Sequence, residues 1–150
     1  MAVLSYQEVL EKEMTEKRMS VVRRLIEEGF NKGDLSAVDE TVSDNMKEHQ
    51  RFDPPLPSGS KGTKALIGGL RGMFPDLTLS IEDTAVEGDK VWIRMRAKGT
   101  NTGSVMGRPP TGKKMEIDVF DICRIRDDKI VEHWGVPDQL GMLEQIGIRG

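Results

Sequence analysis

Apolar residues return at helical spacing from Leu10 through Met14, Val21, Val22, Leu25 and Ile26 to Phe30, and "NKGD", residues 31–34, breaks the pattern with a glycine. This predicts a long first helix. Asp34 is placed to cap a short second helix through "LSAVDETV", and "GTKALIGGLRGMF", residues 62–74, predicts a third that stops at Pro75. Between them, "RFDPPLPSGSKG" has the proline and glycine content of a loop. After Pro75 the period changes to two, with Leu77, Leu79 and Ile81 alternating against Thr78, Ser80 and Glu82. "EGDK", residues 87–90, turns the chain into a strand with Val91, Ile93, Met95 and Ala97 on one face and Trp92, Arg94, Arg96 and Lys98 on the other. Two more strands, at about 114–126 and 129–137, flank the tight turn "RDDK". "DQLGMLEQIG" then closes the chain as a short helix capped by Asp138.

Helices followed by an antiparallel meander make an α+β order, and a curved sheet with the helices over its concave side buries the apolar faces of both. If the last turn holds Asp127 and Asp128, Arg126 faces Lys129, and regular pairing back along the strands sets Asp121 opposite Trp134. One face then carries Val119, Asp121, Cys123 and Ile125 together with Ile130, Glu132, Trp134 and Val136; as the more apolar face it is expected to point inward. Asp121 and Glu132 would sit among aliphatic and aromatic neighbours, where burial disfavours the charged carboxylate and brings it toward proton exchange near neutral pH. Pairing to an arginine such as Arg94 or Arg96 accounts for a buried acid equally well. The same count puts His133 on the outer face with Phe120 and Val131, a half-apolar surface suited to a subunit interface. His49, in "NMKEHQ" near the start of the sheet, is not assigned to either face by so short a segment, and a structural hydrogen-bonding role stays open for both histidines.

Composition narrows the classes. The length, 150 residues without internal repeat or long linker, suits one domain over 1–150 with residues 1–20 as an N-terminal helical extension. Hydrophobic residues make up 37% and there are 16 glycines, the balance of a globular chain rather than a disordered one. Twenty-two basic and 25 acidic residues are interspersed for a net charge of -3, so no basic face points to nucleic acid. The single cysteine, Cys123, excludes an intramolecular disulfide, and the first fifteen residues hold Glu8, Glu11, Lys12 and Glu13 instead of an apolar signal core. No apolar run approaches the roughly 20 residues needed to span a bilayer. The expectation is a cytoplasmic protein with neither nucleic-acid nor membrane partners.

Familiar chemical motifs are absent or broken. "GRPPTGKK", residues 107–114, has P-loop spacing, but Lys114 stands where Ser or Thr is needed and two prolines remove phosphate-binding amides. Two scattered histidines and one cysteine give no metal-ligand spacing, and there is no "GxSxG" elbow. Nine methionines suit adaptable packing or the wall of a pocket for a bulky flat ligand.

Three segments, "FPDLTLSIED" (74–83), "GTNTGSVMGRPPTGKK" (99–114) and "VFDICRIRDDKIVEHWGVPDQLGMLEQIG" (119–147), resemble the SnoaL-like polyketide cyclases, also called ester cyclases, and "NKGDLSAVDETVSDNMKEH" (31–49) resembles the family's opening. The resemblance implies a nuclear-transport-factor-2-like (cystatin-like) cone: a curved, mostly antiparallel sheet around a deep pocket, helices at its mouth, and a homodimer or higher homo-oligomer formed across the outer faces. It further implies intramolecular aldol closure of a hydrophobic polyketide-like ester, with Asp121 as general acid/base and neither metal nor organic cofactor. The substrate-facing residues assigned on this basis are Asn101, His49, Trp134, Glu132, Met95 and Phe74. Asn101 occupies the place of a histidine in the "GTHTG" of many members, and an amide donates to an enolate oxygen but does not shuttle protons. A water-activating hydrolase or hydratase using Asp121 and Glu132, or a non-catalytic small-molecule-binding protein, are the alternatives on the same fold.

Overall fold

Ser5 starts the first helix with a capping box: its hydroxyl accepts from the Glu8 amide at 3.1 Å, and the Glu8 carboxylate accepts from the Ser5 amide at 2.7 Å. The computed structural model describes residues 3–148; residues 1–2 and 149–150, the ends of the expected 1–150 unit, lie outside them. Helix α1 (Tyr6–Arg24) is mostly exposed along its first half and continues through a π-type turn at Leu25–Phe30. From Val21 onward Val22, Leu25 and Ile26 are buried, each such side chain contributing about 1.5–3 kcal/mol. Asp34 caps α2 (Leu35–Thr41), its carboxylate accepting from the Ser36 amide at 3.0 Å.

Strand β1 (Val42–Glu48) follows α2 directly, an element the hydrophobic pattern does not signal. Helix α3 (Gly59–Met73) begins at Gly59 rather than residue 62, because Gly59 adopts φ +71 against β1, where an added Cβ would lie 1.9 Å from the Asp44 carbonyl oxygen. Strands β2 (Thr78–Glu87), β3 (Lys90–Thr100), β4 (Lys114–Arg126) and β5 (Lys129–Pro137) precede α4 (Gln139–Gln145), capped by Asp138. They form one sheet in the order β1-β5-β4-β3-β2, antiparallel except for the β1–β5 pair, which is parallel. Its inner face presents Val91, Ile93, Met95 and Ala97 from β3 and Met115, Ile117, Cys123 and Ile125 from β4, in one buried cluster with Val22, Ile26, Val38 and Ile67 of the helices.

The β4–β5 register departs from regular pairing at one point. Asp127 and Asp128 both take positive φ, 51° and 60°, as a two-residue hairpin turn of this type requires, and Arg126 pairs with Lys129 and Ile125 with Ile130 as expected. A bulge then inserts Val131, so that Arg124 faces Glu132, Cys123 faces His133, Ile122 faces Trp134 and Asp121 faces Gly135. One inserted residue reverses every side chain beyond it. His133 therefore points inward and Glu132, Trp134 and Val136 outward, the opposite of the expected faces. The bulge keeps Ile130 in the core while letting Glu132 bond Arg124 Nε at 3.0 Å on the outer face, an acid that regular register would have buried among aliphatic side chains.

Candidate active site

Three strands bring three ionisable groups together on the inner face. Parallel pairing of β1 with β5 aligns Glu48 with His133, and the β4–β5 register sets His133 across from Cys123, next to Asp121. His133 Nδ1 lies 2.7 Å from Glu48 Oε1 and its Nε2 lies 3.3 Å from Asp121 Oδ1. Both ring nitrogens face carboxylate oxygens, an arrangement that is satisfied only when both carry protons. Burial works against the charged ring, but the bonds and charges of Asp121 and Glu48 outweigh it and raise the His133 pKa from 6.5 to about 9. At neutral pH the cluster is thus an imidazolium held between two acids. Cys123 beside it stays a neutral thiol, pushed well up by burial and then by the charges of Asp121 and Glu48. The side chains of Asp121, His133 and Glu48 keep 15%, 16% and 21% of their surfaces accessible, so the cluster is not sealed.

Opposite Asp121 the β5 backbone carries no side chain. A Cβ at Gly135 would stand 2.3 Å from Gln50 Oε1, 2.5 Å from Asp121 Oδ1 and 2.9 Å from His133 Cε1, so only glycine lets these three side chains pack directly against the strand. Glu48 and Gln50 also line an open cavity of about 730 Å³ between β1, the 50–58 loop and α3, whose other walls include Met46, Phe52, Leu56 and Leu66. The cavity is largely apolar, with Lys47 and Arg51 at its edge.

The structure separates most of the residues that sequence reasoning grouped with Asp121. His49, Glu132 and Trp134 form a cluster on the outer face: the His49 ring stacks on Trp134 at 4.7 Å, and its Nε2 lies 2.7 Å from Glu132 Oε2. Glu132 in turn bonds Arg124, which also pairs with Asp89 at 2.8 Å. Asp121 and Glu132 consequently do not share a site. Asn101 is fully buried and both ends of its amide are occupied: Nδ2 donates to the carbonyls of Met73 and Gly103, and Oδ1 accepts from the amide and hydroxyl of Thr111. It closes the 101–111 loop instead of facing a ligand. Met95 and Phe74 are closed into the core, Phe74 against Gly99. Of the two arginines considered as partners for Asp121, Arg96 pairs on the opposite face with Glu116 and Asp118, and Arg94 stands across from Phe120 on that same face.

His133, Glu48 and Gln50 were missed. His133 could have been found from the adjacent apolar pair Ile130-Val131, which breaks strict alternation and is the mark of an inserted residue. Glu48 and Gln50 depend on a parallel pairing that no local pattern reports. Among the described residues no group of three or more His, Cys, Asp or Glu side chains is placed to hold a metal ion, and no helix is long and apolar enough to cross a membrane.

A curved five-stranded sheet covered on one face by helices, with Glu48 of the ionisable cluster lining a largely apolar cavity, defines the chain as a nuclear-transport-factor-2-like α+β protein. Within that class, the family model for SnoaL-like polyketide cyclases matches residues 20–146, and the chain belongs to that family. It is 28% identical to nogalonic acid methyl ester cyclase of Streptomyces nogalater over 120 residues, covering 79% of this chain and 89% of that one. It is 27% identical to the aklanonic acid methyl ester cyclase DauD of Streptomyces sp. (strain C5) over 138 residues, or 87% and 81% of the two chains. The crystal structure of wild-type IdmH from Streptomyces antibioticus superposes with a TM-score of 0.75 at 31% identity, over 87% of this chain and 99% of that one.

Proposed function

We propose that the protein catalyses an intramolecular aldol-type ring closure of a hydrophobic, polyketide-like carbonyl compound, with Asp121 as the acid/base. The observation that carries this reading is the Asp121–His133 contact, packed against Gly135. Asp121 as carboxylate takes the proton from a carbon flanked by carbonyls, and the C–H electron pair moves onto a carbonyl oxygen to give an enolate. The enolate carbon attacks a second carbonyl of the same molecule, and the new alkoxide recovers the proton from Asp121. His133, bonded through Nδ1 to Glu48, keeps its other N–H aimed at Asp121 and holds the carboxyl in place through both proton transfers. The largely apolar cavity lined by Glu48, which bonds His133 beside Asp121, has the room to hold and fold such a chain.

Nogalonic and aklanonic acid methyl esters, named for the relatives' activities, are the first substrates to test, with product followed by chromatography. Asp121→Asn is expected to lower turnover by at least about 10²-fold with the fold retained. Turnover equal to wild type in that variant would remove Asp121 from the mechanism. The same proposal includes a reducing, cytoplasmic setting, which the lone buried thiol of Cys123 suits, and a homodimer across the outer face. There Trp92, Phe120, Ile122, Trp134 and Val136 line a shallow groove of about 360 Å³, with Phe120 53% exposed.

A further inference from the structure

Charge along the 730 Å³ cavity is unbalanced in one direction. The ionisable side chains in its lining are one acid, Glu48, and two bases, Lys47 and Arg51. Glu48 is engaged: its Oε1 accepts from the Gln50 amide at 2.9 Å and lies 2.7 Å from His133 Nδ1. Lys47 and Arg51 are exposed, and neither side chain makes an ion pair or a hydrogen bond among the described residues. Asp44 and Asp53, the next acids along the chain on either side, do not line the cavity, and Asp44 is taken up by the Ser60 hydroxyl at 2.7 Å. Apolar walls from Met46, Phe52, Leu56 and Leu66 therefore meet two cations that no acid of the lining neutralises.

We propose that this cavity is a binding site for anionic apolar molecules, carboxylic acids on a flat ring skeleton, with Lys47 and Arg51 holding the carboxylate. The volume lies within the roughly 300–1,000 Å³ of small-molecule sites. A ring skeleton removes the apolar walls from water, and a carboxylate left at the open edge meets two positive charges there, so neither sign of charge is desolvated alone. The attraction is stronger against an apolar wall than in open water, because the local dielectric is lower. An ester of the same acid has the same skeleton and gives the cations nothing to hold. The relatives are named for methyl esters, whose ester group is uncharged, so the inference sets a specificity for this chain: the free acid over its ester. It concerns the cavity alone and does not rest on the acid/base reading of Asp121.

The test compares 2-naphthoate with methyl 2-naphthoate, one skeleton with and without the charge, by fluorescence titration of the whole protein. At low salt the acid is expected to bind about tenfold more tightly than the ester, and added salt should narrow the gap. Lys47→Gln and Arg51→Gln should each weaken the acid about threefold and together about tenfold, as exposed charges do, while the ester changes less than about twofold. Both residues are exposed, so the variants are expected to unfold in urea with the wild-type midpoint. Leu66→Trp, which puts bulk into the cavity, should weaken both probes at least about fivefold. Failure of either probe to bind, an acid that binds no better than its ester, or a preference that survives in the double variant would overturn the proposal. So would full binding in Leu66→Trp, which would put the preference elsewhere on the surface. None of these readings uses turnover, so loss of the proposal and loss of the Asp121 mechanism are separate results.

Discussion

Titration of His133 makes stability depend on pH in a defined window. In the folded protein the imidazolium is held between Glu48 and Asp121 and its pKa is about 9, against 6.5 for the ordinary side chain. Between those values the folded state binds a proton that the unfolded chain has released. The contribution is therefore fully present below pH 6.5 and is lost as pH rises through 9. Raising a pKa from 6.5 to about 9, at 1.36 kcal/mol per pH unit, corresponds to about 3 kcal/mol. Urea unfolding at pH intervals from 6 to 9 should show wild-type stability falling by most of that amount, steepest at about 1.4 kcal/mol per pH unit. Cys123, whose thiol is pushed up by burial, adds its own decline only as pH passes the ordinary thiol value, at the upper end of this window. His133→Gln should be less stable at pH 6 and nearly flat across the window, because the titrating group is gone and two carboxylates face each other without a cation. A wild-type profile as flat as that of the variant would refute the charged-ring description of the site.

Gly135→Ala should cost only about 1 kcal/mol in thermal or urea unfolding, since the atoms it meets are side-chain ends that swing aside, yet lower turnover at least about tenfold by displacing Asp121; near-normal turnover would show that the close packing of Asp121 on Gly135 is not needed. Asn101→Ala should destabilise by about 3 kcal/mol in urea because it strips partners from the Thr111 amide and the Met73 and Gly103 carbonyls, and a loss under about 1 kcal/mol would contradict the loop-closing role. Phe120→Glu, on the exposed apolar face, should halve the mass measured by sedimentation while leaving the monomer folded, and an unchanged mass would place the subunit contact elsewhere.

Much of the architecture is local information and was legible. The switch from a period of 3.6 to a period of two after Pro75, the caps at Asp34 and Asp138, and the Asp127-Asp128 turn each have a mechanism confined to a few residues, and β4 and β5 fall at residues 114–126 and 129–137 as the alternation predicts. Strand β1 was not, because a parallel edge strand takes its identity from β5, more than eighty residues away in sequence, and not from its own alternation. Loop roles were equally opaque: nothing in "GTNTG" distinguishes an amide that binds a ligand from one that ties a loop, and burial decides it.

The site was misread for a more specific reason, and that reason also explains how the site exists. A count by twos carries Asp121's face correctly along β4, where the pairing with β3 is regular from Lys90–Arg124 to Thr100–Lys114, but fails across one inserted residue in β5. Without Val131 out of register, Asp121 would look across at Trp134, Glu132 would enter the core without Arg124, and His133 would lie outside beside Phe120. With it, the charged pair Glu132–Arg124 stays on the outer face, the imidazole enters between Glu48 and Asp121, and the residue opposite Asp121 is a glycine that lets the carboxylate and the ring pack against the strand. Bulges bend strands and re-aim side chains at sites where regular pairing would serve only stability. Here the same inserted residue supplies the acid with its cation and with a glycine it can pack against, so the feature that defeats the sequence count is the one that turns a sheet face into a candidate active site.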